Sequence, residues 1–132
     1  MDESRLRSVP LFADLTRKEL KELSMMTDEV TLPAGSHLID EGAFSHEFLL
    51  ITSGDAEVRR SGTLLATLGP GDFAGEVGAM HDARRNASVV ATSDLTAIVM
   101  TARDLRRAAE EMPAVGARIE EAIAARASAD AR

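Results

Sequence analysis

The spacing of apolar residues changes twice along this chain, and each change marks a different kind of structure. Near the N-terminus, Leu20 and Leu23 share one helical face, with Met26 at helical spacing beyond them. Thr16 followed by Glu19 forms a capping box at the start of that run. The predicted helix covers about 14–26, and Leu11 and Phe12 just before it are expected to staple it to a core. From about 30 to 100 the helical period disappears. Short apolar segments take over, at Val30–Leu32, His37–Asp40, Phe48–Thr52, Ala56–Arg60, Thr63–Leu68, Ala87–Thr92 and Leu95–Met100. Glycines punctuate them at Gly35, Gly42, Gly54, Gly62, Gly69, Gly71, Gly75 and Gly78, and Pro33-Ala34-Gly35, Ser53-Gly54-Asp55 and Ser61-Gly62 carry turn chemistry. Short strands at this rhythm predict an all-β sandwich or barrel. Ile51, Leu64 and Val89 are expected among its core residues.

Helical spacing then returns. Thr101-Ala102-Arg103-Asp104 opens a helix over about 102–112, with Leu105 and Ala108 inward. Met112-Pro113 interrupts it, because proline restricts the residue before it and suits a helix start. A last helix over about 114–127 carries Val115, Ile119 and Ile123 on one stripe, and the Ala-rich tail after it is expected to fray. No long linker or internal repeat divides the chain, so residues 1–132 are expected to form one domain.

Composition narrows the function classes. Hydrophobic residues make up 45% and charged residues 28% of the 132 residues, as in ordinary globular domains. No apolar run approaches a membrane span, and the first residues lack the apolar core of a signal peptide. Cysteine is absent, which removes disulfides and thiol chemistry; a cytoplasmic location is expected. The formal net charge of −7 argues against a nucleic-acid partner, which needs a basic surface. It also means that an anionic ligand must be held locally, by arginines and backbone donors. With no Trp or Tyr, a base cannot stack on a large indole or phenol ring.

The richest candidate chemistry lies between Gly71 and Val89. Glycines there let backbone N–H groups approach a phosphate. Arg84 and Arg85 can fork onto phosphate oxygens. Glu76 stands in a mostly apolar stretch and needs a partner if buried. A carboxylate repels phosphate but accepts well from a sugar hydroxyl. The combination suits a small ligand with both sugar hydroxyls and an anionic group.

The stretch Phe73-Ala74-Gly75-Glu76-Val77-Gly78-Ala79-Met80, followed by Arg84-Arg85-Asn86-Ala87-Ser88-Val89, resembles the phosphate-binding cassette of cyclic nucleotide-binding domains, the family that includes the catabolite activator protein and protein kinase A regulatory subunits. Val9 to Thr16 is similar to the phrase that opens the family's N-terminal helix. The resemblance implies a mainly β fold: an eight-stranded double-stranded β-helix, or jelly-roll, with a short N-terminal helix and two C-terminal helices. It implies a regulatory sensor domain with no catalysis and no cofactor, binding cAMP in preference to cGMP. Glu76 would take the ribose 2′-hydroxyl and Arg85 the cyclic phosphate. Gly75, Val77, Gly78 and Ala79 would complete the cradle, with Asn86 and Ala87 adding donors. Arg84 stands where many relatives carry proline and is expected to face solvent. The family's base lid comes from the last helix, where Arg118, Ile119 and Ala122 are the candidates.

The stretch after Ile123 is too short for a helix-turn-helix module, so the chain is expected to be either a stand-alone sensor acting on an unidentified downstream protein or a piece of a larger protein, and a monomer or homodimer. Two other readings compete. One is a ligand-free scaffold that docks or dimerises through the Val115–Ile119–Ile123 stripe. The other is a cupin-like metal site built on His37, His46 and His81. Their spacing lacks the clustered ligands such a site needs, so no metal is expected.

Overall fold

The computed structural model describes residues 2–39, 47–74 and 87–130. A short helix α1 (Glu3–Arg7) and a single 3-10 turn (Pro10–Phe12) precede α2 (Arg17–Ser24). Asp2 caps α1 by accepting from the Ser4 amide, a start that the apolar pattern did not announce. The hydroxyl and amide of Ser4 both donate to this carboxylate and hold its pKa below the usual range. In α2 the capping box forms in both directions: Thr16 accepts from the Glu19 amide, and Glu19 accepts from the Thr16 amide. The helix is therefore shorter than the 14–26 expected, with Thr16 and Met25 as its caps.

Eight strands follow among the described residues: β1 (Asp28–Leu32), β2 (His37–Ile39), β3 (Glu47–Ser53), β4 (Ala56–Arg60), β5 (Thr63–Leu68), β6 (Phe73–Ala74), β7 (Ser88–Ala91) and β8 (Leu95–Thr101). They form two four-stranded antiparallel sheets, ordered β1-β8-β3-β6 and β2-β7-β4-β5. Two helices close the chain, α3 (Ala102–Glu111) and α4 (Pro113–Asp130). Thr101 caps α3 by accepting from the Asp104 amide. The chain breaks between the helices at Met112, whose backbone leaves the helical region before Pro113.

Two apolar layers hold this together. Side chains alternate across a strand, so β3 and β8 serve both layers. Leu49, Ile51, Leu95 and Ala97 face the second sheet and meet Ile39, Ala56, Leu68, Val89 and Ala91. Phe48, Leu50, Ile98 and Met100 face the other way, under a helical cover that contributes Leu6, Phe12, Leu20, Leu23, Leu105, Met112, Val115 and Ile119. Burial on both faces explains why these two strands read as nearly continuous apolar runs.

The β4–β5 hairpin turns at Ser61 and Gly62, both with positive φ (50° and 82°), as a two-residue hairpin loop demands. A bulge lies between Val58 and Arg59, where β5 carries the extra residue Leu65. Leu64 pairs with Arg59 on β5, an edge strand exposed on both faces over 63–67, and is 46% exposed. The core position expected for Leu64 is thus corrected, whereas Ile51 and Val89 are buried. Gly54, at φ +86°, passes so close to the β7–β8 turn that a Cβ would lie 2.3 Å from the Asp94 carbonyl oxygen.

Candidate functional site

The cassette motif runs out of one sheet and into the other. It leaves at β6, where Ala74 pairs with Leu49 and Phe73 with Leu50 of β3. The Phe73 ring packs at 5.5 Å and a 44° tilt against Phe48, which fixes the strand that introduces the motif. The turn before β6 is tightly bonded. Gly69 N donates to Asp72 Oδ2 (2.9 Å), Gly71 N to the Ile51 carbonyl (2.8 Å), and Ile51 N to the Asp72 carbonyl (2.9 Å). A cavity of about 270 Å³ opens beside this turn, lined by Ser8, Val9, Pro10, Ile51, Thr52, Pro70 and Gly71.

The motif returns at β7, held between β2 and β4 in the second sheet. Ala87 is buried at the entry to this strand, and Val89 is buried opposite Val58. Of the expected cassette residues, Ala87 is therefore placed at the sheet edge of the motif. Gly75, Glu76, Val77, Gly78, Ala79, Arg85 and Asn86 lie outside the described residues, as does Arg84.

The expected lid residues sit on α4. Ile119 is fully buried in the helical layer, in one cluster with Leu11, Phe12 and Leu15. Arg118 reaches the N-terminal segment, where it donates to the Pro10 carbonyl and to Asp14 Oδ2 at 2.5 Å. Ala122 lies on the same helix, and its side chain is outside the described residues. In this arrangement α4 therefore packs against the N-terminal segment through Arg118 and Ile119, two of the three residues expected at the base. Asp14 as the partner of Arg118 carried no signal in the sequence, because 104 residues separate the two. The burial of Val115 and Ile119 within the chain also takes two of three positions from the stripe expected for a dimerising helix.

No group of three or more His, Cys, Asp or Glu able to hold a metal occurs among the described residues. His37 is exposed on β2, and His46 and His81 lie outside the described residues. No helix among the described residues is long and apolar enough to cross a membrane.

Comparison with known proteins agrees with this architecture. The model of the cyclic nucleotide-binding domain matches residues 29–112. The chain is similar to the cAMP-dependent protein kinase regulatory subunit of Schizosaccharomyces pombe, with 35% identity over 94 residues that make up 70% of this chain and 23% of that protein. It is 34% identical over 131 residues to the Pycsar effector protein XpPycTIR of Xanthomonas perforans, spanning 95% of this chain and 43% of that one. Among solved structures it resembles the Thermus thermophilus catabolite activator protein, with a TM-score of 0.76 and 28% identity across 92% of this chain and 59% of that one. The chain spans less than half the length of the two curated relatives it matches here.

Proposed function

This chain belongs to the cyclic nucleotide-binding domain family, and from that membership we propose that it is a sensor for a cyclic nucleotide, cAMP in preference to cGMP, with no catalytic activity of its own. The observation that carries the reading is the Phe73–Val89 motif, which holds an acid and an arginine at the family's spacing between strands of two different sheets. Glu76 accepts from the ribose 2′-hydroxyl. Arg85 donates a pair of charge-assisted hydrogen bonds to the cyclic phosphate. Backbone N–H groups of Gly75, Val77, Gly78 and Ala79 add donors without charge, which matters in a chain of net charge −7. Asn86 and Ala87 supply further donors at the motif's end.

In the bound state α4 leaves the N-terminal segment and covers the base, with Arg118, Ile119 and Ala122 as the contacting residues. The bend at Met112-Pro113 is the natural pivot. Ligand shifts this equilibrium by its differential affinity for the two positions of α4, and that shift is the output read by a downstream protein. The name of the Schizosaccharomyces pombe relative, a cAMP-dependent kinase regulator, favours adenine. Glu76 and Arg85 read ribose and phosphate alone, so base choice rests on other residues, Asn86 and the lid.

The deciding experiment is calorimetric titration of protein stripped of carried-over ligand by unfolding and refolding. The panel holds cAMP, cGMP, cCMP and cUMP, with Arg85→Ala alongside. Saturable binding that Arg85→Ala removes is the expected result, with cAMP tightest. A folded wild-type protein that gives no heat with any of the four would overturn the sensor reading.

A further inference from the structure

One ion pair joins the two ends of the chain. The Arg118 guanidinium, on the second turn of α4, bridges the Pro10 carbonyl and the Asp14 carboxylate. Both acceptors belong to the segment around the 3-10 turn. Behind the pair, Val115 and Ile119 are fully buried in one cluster with Leu11, Phe12 and Leu15. The apolar contact seats the helix, while the pair gives the seat a direction, since a planar guanidinium meets two fixed acceptors in few orientations. At the other end, α4 follows α3 through the non-helical Met112, and Gly116 packs so close to α3 that a Cβ there would lie 2.6 Å from the Ala109 carbonyl oxygen. Its position is thus set by this seat, the bend and the close contact with α3.

The sensor reading asks α4 to cover a ligand, and a guanidinium engaged with Pro10 and Asp14 is not free to do so. We infer that Asp14 and the Pro10 carbonyl form an autoinhibitory latch for Arg118, holding α4 on the N-terminal segment until a bound cyclic nucleotide outcompetes them. The inference rests on the sensor reading. Its energetic logic is that whatever favours the docked position lowers the fraction of molecules ready to close, and apparent affinity falls by that fraction. The pair is partly open to solvent, with side chains 37% and 67% exposed, so screening keeps its share modest. Removing it should tighten cAMP binding about two- to fivefold. Because Asp14 is exposed and outside the core, this part of the hold is separable from folding. Ile119, by contrast, cannot be cut back without opening the core.

The test uses Asp14→Asn in the full chain. The protein has no cysteine, so Lys18→Cys and Ala124→Cys, both at exposed sites, place two spin labels on α2 and α4 with no competing thiol. Pulsed dipolar spectroscopy without ligand reads the distance between them, and calorimetry reads cAMP affinity in unlabelled protein. The expected result is a broader or longer distance distribution in Asp14→Asn and a two- to fivefold tighter cAMP affinity. An unchanged distribution, or an affinity that is equal or weaker, overturns the latch. Arg118→Gln repeats the distance measurement should Asp14→Asn fail to fold. If no protein binds cAMP, wild type included, the sensor reading is what fails. The ligand-free distances then decide the latch by themselves.

Discussion

Replacing Gly54 with alanine should damage this fold far more than the same change at Gly62, although both glycines sit in turns with nearly the same positive φ (86° and 82°). At either site an L residue in the left-handed region costs about 1–2 kcal/mol. Gly62 adds nothing further, because a Cβ there meets no atom within 4 Å. At Gly54 the new carbon would lie 2.3 Å from the Asp94 carbonyl oxygen and 2.8 Å from the Leu95 Cα. Both are backbone atoms, and their turn is pinned by Asp94 Oδ1 accepting from Ala34 N (3.0 Å) and Ser93 Oγ accepting from Asp55 N (3.0 Å). Forced repacking of this kind costs typically about 1–3 kcal/mol more. Gly54→Ala should therefore lose roughly 2–5 kcal/mol in all, a large part of a domain's usual 5–15 kcal/mol. Urea unfolding followed by circular dichroism measures both variants, compared at a common m-value. Equal losses for the two substitutions would refute the close-contact argument and leave backbone conformation as the whole cost.

Other outcomes follow from the site and the caps. Arg85→Ala should weaken cAMP binding by about 2–5 kcal/mol, or roughly one and a half to three and a half decades, by calorimetry. Glu76→Ala should cost about 1.5–3 kcal/mol toward cAMP but nothing toward 2′-deoxy-cAMP, because the hydroxyl it serves is then missing; equal losses for both ligands would contradict its assigned role. Thr16→Ala, which removes the hydroxyl that accepts from the Glu19 amide and leaves the backbone amide of residue 16 to donate to Glu19, should lower stability by about 0.5–2 kcal/mol in urea unfolding without touching cAMP affinity. In a thermal melt, cAMP at a hundred times its dissociation constant should stabilise wild type by about 2.7 kcal/mol, and Arg85→Ala at the same cAMP concentration by much less.

The strands that were legible in the sequence are those with a full apolar run between turn residues, such as Phe48–Thr52 and Leu95–Met100. Helix starts were legible wherever a hydroxyl stood three residues before an acid, as at Thr16 and Thr101. α1 was not, since its five residues bury only Leu6 and its cap is a single aspartate. β6 escaped because two residues cannot display a period. Leu64 misled because an apolar strand is expected to have a covered face, whereas the edge strand β5 is exposed on both faces over 63–67. The cassette was legible as a motif; of the site residues expected in it, Ala87 is the one among the described residues. The engagement of Arg118 was not legible, because no local pattern tells which acceptor a helix-surface arginine finds a hundred positions away.

The two ends of the cassette motif belong to different layers of the sandwich: Phe73-Ala74 to the sheet that carries the helices, Ser88 onward to the opposite one. A small molecule gripped between those ends, as proposed above, would work as a rivet through both plates. Breathing of one sheet over the other would then require the rivet to stretch or release. Occupancy should therefore slow amide exchange in both sheets together, at Leu49 as well as at Val58, and the quieting of the whole sandwich would travel as far as the helices that rest on it.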